Sequence, residues 1–267
     1  CALRRTTARQ PLEFQLRLAP TPPEDIVPRP TRLSPDRPQR IAINGYGRIG
    51  RCYLRALHET GLSAQFRVVA INEPADLASI AYLTRFDSTH GRFPGEVAVA
   101  DDSLLINGQA IAISHATTPE AVPWASHDID LLIECSGQYG SRTELERFLH
   151  AGCPRLLLSQ PGNSAEDVDA TIVHGINDSS LTVDARLVSN ASCTTNAVVP
   201  VLALLQHEFG LENVLLTTLH SAMNDQPLID GYHHSDLRRT RSAMQSIIPV
   251  STGLARGAER LLPALGG

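Results

Sequence analysis

No lysine occurs in the 267 residues, and all 23 basic side chains are arginine. A lysine nucleophile or Schiff base is therefore excluded, because a guanidinium stays protonated and offers no amine to a carbonyl. Aromatic residues are sparse at 4%, and the net charge is −5 with an isoelectric point near 6.1. This balance gives no electrostatic case for binding nucleic acid or an anionic membrane surface. The five cysteines (Cys1, Cys52, Cys135, Cys153 and Cys193) are scattered and contain no C-x-x-C pair. Neither a zinc site nor a disulfide framework is indicated, no metal is expected, and a reducing cytoplasm is the simplest setting. No apolar run approaches the length of a membrane span.

What is present is an ordinary globular composition, 42% apolar and 19% charged. Residues 1–38 stand apart, with eight prolines and seven arginines and little periodic apolar pattern. Such a stretch buries too little surface to offset its ordering entropy, so a disordered leader is expected there. The first residue is Cys rather than Met, which points to a processed or incomplete start.

Order is expected from Arg40. Residues 41–44 form a short apolar run that ends in Gly45-Tyr46-Gly47-Arg48-Ile49-Gly50. A helical pattern follows through Leu54 and Leu57 to a C-cap at Gly61, and residues 68–71 read as a second buried strand that ends at Asn72-Glu73. This is a strand, glycine loop, helix, strand and acid in register. Gly45 would permit the tight turn and Gly47 the close approach of a pyrophosphate. Gly50 would let helix and strand pack, and the helix start would face the phosphate charge. Glu73 would accept from the adenosine ribose hydroxyls, and its charge would repel a 2′-phosphate, which favours NAD over NADP.

Further strands are expected at 97–99, 104–106, 110–113, 129–134, 155–159, 170–174 and 187–189, with helices at 77–86 and 141–151 between them. Asn107-Gly108 marks a hairpin. The alternation indicates an α/β fold, a Rossmann-type doubly wound parallel sheet. Gly45, Glu73, Ser136-Gly137, Ser159 and Cys193 all follow strand ends, so one rim can gather them around a ligand.

Cys193 sits where the strand at 187–189 gives way to an apolar helix at 197–209. Ser192 or Asn190 can cap that helix, which places the thiol in the first turn, where the macrodipole and free N–H groups favour a thiolate. The competing reading of a lone cysteine is a small side chain that merely packs. His220, expected at the end of a strand at 214–219, supplies a base and tips the balance towards a nucleophile. The arginines of the loop at 221–241 (Arg238, Arg239 and Arg241) suit either a solvated basic loop or an anion or subunit contact. Ser251-Thr252-Gly253 opens a last helix with donors that could hold a phosphate.

The segments Asn44-Gly45-Tyr46-Gly47-Arg48-Ile49-Gly50-Arg51, Ser192-Cys193-Thr194-Thr195-Asn196, His220 with Asn224-Asp225-Gln226, Arg238-Arg239-Thr240-Arg241 and Ser251-Thr252-Gly253 occur in this order. Together they resemble the phosphorylating glyceraldehyde-3-phosphate dehydrogenase superfamily from about Arg40 onward. Glu73 at the acid position, Met223 where a phosphate-binding threonine is usual, and the segments at 136–142 and 159–162 resemble its erythrose-4-phosphate branch. Thr252-Gly253 resembles the glyceraldehyde type instead.

The resemblance implies Cys193 and His220 as catalytic residues, and cofactor contacts from Gly45, Gly47, Arg48, Ile49, Gly50, Glu73, Ser136, Gly137 and Ser159. It implies substrate contacts from Ser192, Thr194, Asp225, Thr252 and Gly253, with a small phosphorylated aldose as substrate, NAD as cofactor and a homotetramer as the assembly. The NAD-binding domain would run over 39–190. Only the first part of an α+β catalytic domain would follow over 191–267, because a single strand is legible there and family members carry a multi-stranded sheet. The chain is thus expected to be C-terminally truncated. A non-catalytic nucleotide-binding protein is the alternative of another class, against which Cys193 and His220 stand together.

Overall fold

The computed structural model describes residues 37–232 and 236–265. All but the last two residues of the expected leader lie outside that range. β1 (Gln39–Asn44) is buried from Ile41 onward on both faces, as a central parallel strand must be when helices cover both sides of its sheet. The glycine loop turns the chain into α1 (Arg48–Glu59), which buries Gly50, Leu54, Arg55 and Leu57 and ends before the left-handed Gly61, φ 74°. β2 (Phe66–Asn72) pairs in parallel with β1. α2 (Leu77–Arg85) is capped by Asp76, which accepts from the Ser79 N–H at 2.8 Å.

A small hairpin, β3 (Phe86–Asp87) with β4 (Gly91–Arg92), precedes the meander β5 (Val97–Ala100), β6 (Ser103–Ile106) and β7 (Gln109–Ser114). Asn107 and Gly108 turn between β6 and β7 with φ of 50° and 77°. Positive φ at both central residues suits the twist of a two-residue hairpin.

β8 (Leu131–Glu134) leads to α3 (Arg142–His150), where Ser141 and Glu144 form a capping box. β9 (Leu156–Leu158), β10 (Ala170–Thr171), β11 (Leu187–Ser189), α4 (Cys193–Phe209) and α5 (Leu254–Leu261) follow.

Nine strands form one sheet in the order β10-β11-β9-β8-β1-β2-β7-β6-β5, parallel except where β5 and β6 fold back. The chain runs outward from β1 to β2 on one side and later from β8 to β9 on the other. The order therefore reverses at β1, and a crevice opens there beyond the strand ends. This is the doubly wound α/β fold that the sequence indicates.

Alternation along β1 serves two cores. Ile41 and Ile43 face one with Leu54, Ile71, Ile80 and Leu104; Ala42 faces the other with Trp124, Leu132, Leu145, Phe148 and Leu156. A third, small cluster of Val199, Leu202 and Ala258 joins α4 to α5. Among the described residues no helix is long and apolar enough to cross a membrane, and no cluster of three or more His, Cys, Asp or Glu side chains could hold a metal ion.

Two expectations differ from the structure. Residues 214–219 do not form a strand: the segment pairs with no other strand among the described residues, and its Leu215 and Leu219 are 95% and 82% exposed. A strand needs a neighbour to satisfy its backbone, and apolar patterning alone supplies none. The strand expected at 170–174 stops at Thr171, where its partner β11 ends at Ser189. The helix that carries Cys193 begins at Cys193 itself under the Ser192 cap, as the sequence indicates.

Phe148 is fully buried and meets the Tyr139 ring edge-on at 4.9 Å between centroids. Phe148→Ala is expected to lower stability by about 3–5 kcal/mol in denaturant unfolding.

Candidate active site

The cleft at the reversal point has a volume of about 300 Å³ and is lined by Asn44, Gly45, Gly47, Asn72, Glu73, Ala116, Cys135, Ser136 and Tyr139, among others. Gly45 adopts φ +82°, and a Cβ placed on it would lie 2.4 Å from the Ser136 backbone nitrogen. Only glycine fits that turn. A Cβ on Gly50 would lie 2.5 Å from the Gly45 carbonyl oxygen, so this glycine lets α1 pack onto the loop. Nothing lies within 4 Å of a Cβ built on Gly47, which leaves backbone facing open space. The start of α1 has no side-chain cap and no acidic residue in its first turn. Its free donors and positive dipole end suit a pyrophosphate.

Tyr46 anchors the loop from below, its ring in the core and its hydroxyl accepting from the Thr84 hydroxyl at 3.1 Å. Glu73 stands at the cleft rim. One of its oxygens accepts from the Tyr46 N–H at 2.8 Å and the other from the Ala75 N–H at 3.2 Å. The carboxylate is thus fixed by backbone, with lone pairs left for ribose hydroxyls.

The proposed cofactor contacts are not all in the cleft wall. Gly45, Gly47, Glu73 and Ser136 line it, whereas Arg48 forms an ion pair with Asp87 and Ile49 is exposed. Gly137 shapes the turn after β8 with φ 74°, and the Ser159 N–H is bound by the Glu134 carbonyl at 3.0 Å, next along the rim. Asn44, Asn72, Ala116 and Cys135 also line the cleft and were not anticipated as site residues. The one available signal was an asparagine closing each of two apolar runs, 41–43 and 68–71.

Further along the same strand edge lies the cysteine. Ala191 is held in the left-handed region, φ 56°, with its N–H bound to the Ser189 hydroxyl at 3.0 Å. Asn196 donates its side-chain amide to the Asn190 carbonyl at 2.6 Å and the Ser192 carbonyl at 3.0 Å. This stapled turn presents Cys193 exposed at the first position of α4. Its Sγ lies 3.3 Å from His220 Nε2, and His220 Nδ1 lies 2.7 Å from the Ser221 carbonyl oxygen. A carbonyl only accepts, so Nδ1 carries the proton and Nε2 turns its lone pair to the thiol. Cys135 and Cys153 contrast with this: burial pushes both thiols up to about 12, against which a hydrogen bond with Ser159 acts at Cys135.

The remaining candidates are dispersed. The Ser192 hydroxyl bonds those of Thr195 at 2.7 Å and Thr194 at 3.2 Å, as part of the cap. Asp225 pairs with Arg239 at 2.9 Å, while Arg238 and Arg241 pair with Asp236 and Asp230. The arginines of this loop therefore bind acids of the same loop. The Thr252 hydroxyl accepts from the Leu254 N–H at 3.2 Å at the mouth of α5, and Gly253 is the N-cap.

A doubly wound sheet with a glycine-walled cleft at its reversal point is a dinucleotide-binding architecture. The family model described as glyceraldehyde 3-phosphate dehydrogenase, NAD binding domain, matches residues 39–142, and that described as glyceraldehyde 3-phosphate dehydrogenase, C-terminal domain, matches residues 192–267. The chain belongs to the glyceraldehyde-3-phosphate dehydrogenase family. It is an NAD-dependent oxidoreductase that acts on aldehyde groups.

Gly45 and Gly47 separate fold from binding. Gly45→Ala is expected to cost about 2 kcal/mol or more of stability and to abolish NAD binding, since the new methyl group collides with backbone. Gly47→Ala should fold normally yet weaken NAD in calorimetry, because its methyl group occupies ligand space. Asp87 accepts from the His90 and Thr89 N–H groups and pairs with Arg48, which holds its carboxyl down to about 2. A depressed carboxyl adds stability above the unfolded value of about 4 and loses it as pH falls through about 2. The stability gap between the parent chain and Asp87→Asn should therefore close across that window in acid titrations.

Proposed function

We propose that the chain oxidises D-erythrose 4-phosphate to 4-phosphoerythronate with NAD, a step that would feed pyridoxal 5′-phosphate synthesis. The observation that carries the chemistry is the 3.3 Å contact of Cys193 Sγ with His220 Nε2, the ring being fixed in one tautomer by the Ser221 carbonyl. His220 takes the thiol proton, and the thiolate attacks the aldehyde carbon to form a hemithioacetal. The backbone N–H of Cys193, at the start of α4, and His220 stabilise the oxyanion. The protonated His220 returns its proton to the oxyanion to give the hemithioacetal hydroxyl, then removes it again as the C1 hydride departs and leaves a thioester on Cys193. Bound NAD supplies the acceptor for that hydride. Water attacks the thioester carbonyl, the carbon–sulfur bond breaks, and the acid and the free thiol are released. In the cleft, Gly45, Gly47 and the start of α1 would hold the pyrophosphate and Glu73 the ribose.

Met223 supports the four-carbon substrate. It lies three residues after His220, is exposed, and its thioether cannot donate to a phosphate oxygen. A competing reading, the phosphorylating oxidation of glyceraldehyde 3-phosphate, draws on Thr252-Gly253, whose hydroxyl and backbone sit at the mouth of α5.

NAD reduction should be followed with both aldehydes, with and without inorganic phosphate. Erythrose 4-phosphate turnover that needs no phosphate is expected; phosphate-dependent preference for the triose would overturn the assignment. Cys193→Ala should lower the rate by about 10⁴-fold or more, and His220→Asn by about 10²- to 10⁴-fold, both with NAD affinity unchanged.

A further inference from the structure

Beneath the cofactor cleft lies a buried carboxylate to which the chemistry above gives no part. Glu134, at the end of β8, is 1% exposed. One of its oxygens accepts from the Ser136 N–H at 2.6 Å and from the Ser136 hydroxyl at 2.5 Å. The other accepts from the Asn44 side-chain amide at 2.5 Å. Asn44 Oδ1 in turn accepts from Asn72 Nδ2 at 2.8 Å. Asn72 Oδ1 accepts from the Ala116 N–H at 2.9 Å, and Asn72 Nδ2 also reaches the Ala116 carbonyl at 3.0 Å. Both asparagines are 5% exposed. The bonds tie together the carboxyl ends of β8, β1 and β2 and the chain just after β7. Asn44, Asn72, Ala116 and Ser136 are all part of the cleft wall.

This relay has a direction. At one end the Ala116 N–H can only donate, and at the other Glu134 meets only donors. Each asparagine between them must turn its oxygen towards Ala116 and its amide nitrogen towards Glu134. Burial raises the Glu134 carboxyl, while the bonds from Ser136 and Asn44 act against the rise.

We propose that Glu134 is a positioning residue for NAD, the acceptor that sets the polarity of the Asn44–Asn72–Ala116 relay and so fixes the floor of the cofactor cleft. The proposal rests on the reading of this cleft as the NAD site.

A glutamine at position 134 has the same shape but one donor end. If its oxygen stays on Ser136, its NH₂ faces Asn44, which must flip. Asn72 must then flip as well, and its NH₂ meets the Ala116 N–H, which cannot turn. If the glutamine reverses, its NH₂ meets the Ser136 N–H instead. In either arrangement one buried donor loses its acceptor. Aspartate at position 44 is isosteric with asparagine but places a second carboxylate against Glu134. The two changes together restore a match at every junction: the glutamine NH₂ donates to the new aspartate, Asn72 donates to its other oxygen, and Ala116 still donates to Asn72.

The test is a double-mutant cycle on the full chain with two readouts, NAD affinity by calorimetry and hydrogen exchange at the Ala116 amide by NMR. Glu134→Gln should weaken NAD about tenfold and speed Ala116 exchange, the effect of one orphaned buried donor. Asn44→Asp should weaken NAD at least as much. The double variant should recover both readouts to within about threefold of the parent. A double variant no better than the worse single one, or a Glu134→Gln chain with parental NAD affinity, would overturn the role given to Glu134. A parent chain that binds no NAD would overturn the cofactor reading of the cleft, and this proposal with it. Ala116 exchange would still report whether the relay exists.

Discussion

The close passage of two backbones, Gly45 after β1 and Ser136 after β8, is the constraint on which the molecule turns. A Cβ on Gly45 would stand 2.4 Å from the Ser136 nitrogen, so the two strand ends meet with no side chain between them. That contact exists because β1 and β8 are neighbours in the sheet although about 90 residues separate them in sequence. It closes one side of the crevice made by the reversal of strand order, aims the start of α1 into it, and leaves Gly47 open to a ligand. A larger residue at position 45 would move the loop, the helix and the cleft wall together, because one peptide belongs to all three.

The site thus formed divides into two regions of opposite character. The cofactor floor is buried and over-determined: Asn44, Asn72 and Glu134 are satisfied by one another. Buried polar groups are tolerated only when every donor finds an acceptor, and a complete network is correspondingly rigid. The reacting pair is the reverse. Cys193 and His220 are exposed, and the segment leading to His220 has no ladder to hold it. The thiol keeps its place through local devices alone, namely the left-handed Ala191, the Ser192 cap and the two bonds from Asn196. A rigid cradle serves a cofactor that must be held in one pose. A helix-start thiol open to solvent serves an aldehyde that must enter and leave.

What could be read in the sequence was whatever a short segment decides for itself. The glycine loop was legible because its spacing after an apolar strand is a local pattern, with Gly45 at positive φ and Gly50 packed on the Gly45 carbonyl, and Asn107-Gly108 because a two-residue hairpin needs positive φ. The cap at Ser192 was legible from chemistry, although the apolar pattern alone would have started α4 four residues late. The relay was not legible, since Asn44 must find partners 28 and 90 positions away, and its place at the end of an apolar run does not say which they are. The segment 214–219 shows the converse error. Its apolar run asks for a sheet, but a strand is a property of a pair, and no neighbour stands beside it among the described residues. The contact of Cys193 with His220 depends on where that unpaired segment runs, so spacing could suggest the pair without giving its distance.

The histidine also shows how little structure a reactive geometry needs. His220 makes two bonds, one through each ring nitrogen, to Cys193 and to the carbonyl of the next residue. The second is local and comes with the backbone conformation at Ser221, yet it decides which nitrogen holds the proton. A proton on the other nitrogen would point at the thiol and leave no base. The tautomer that allows chemistry is thus set by a single carbonyl one residue away. Everything costlier, the nine-stranded sheet and its buried network, goes to holding the cofactor cleft on the same strand edge as that sulfur.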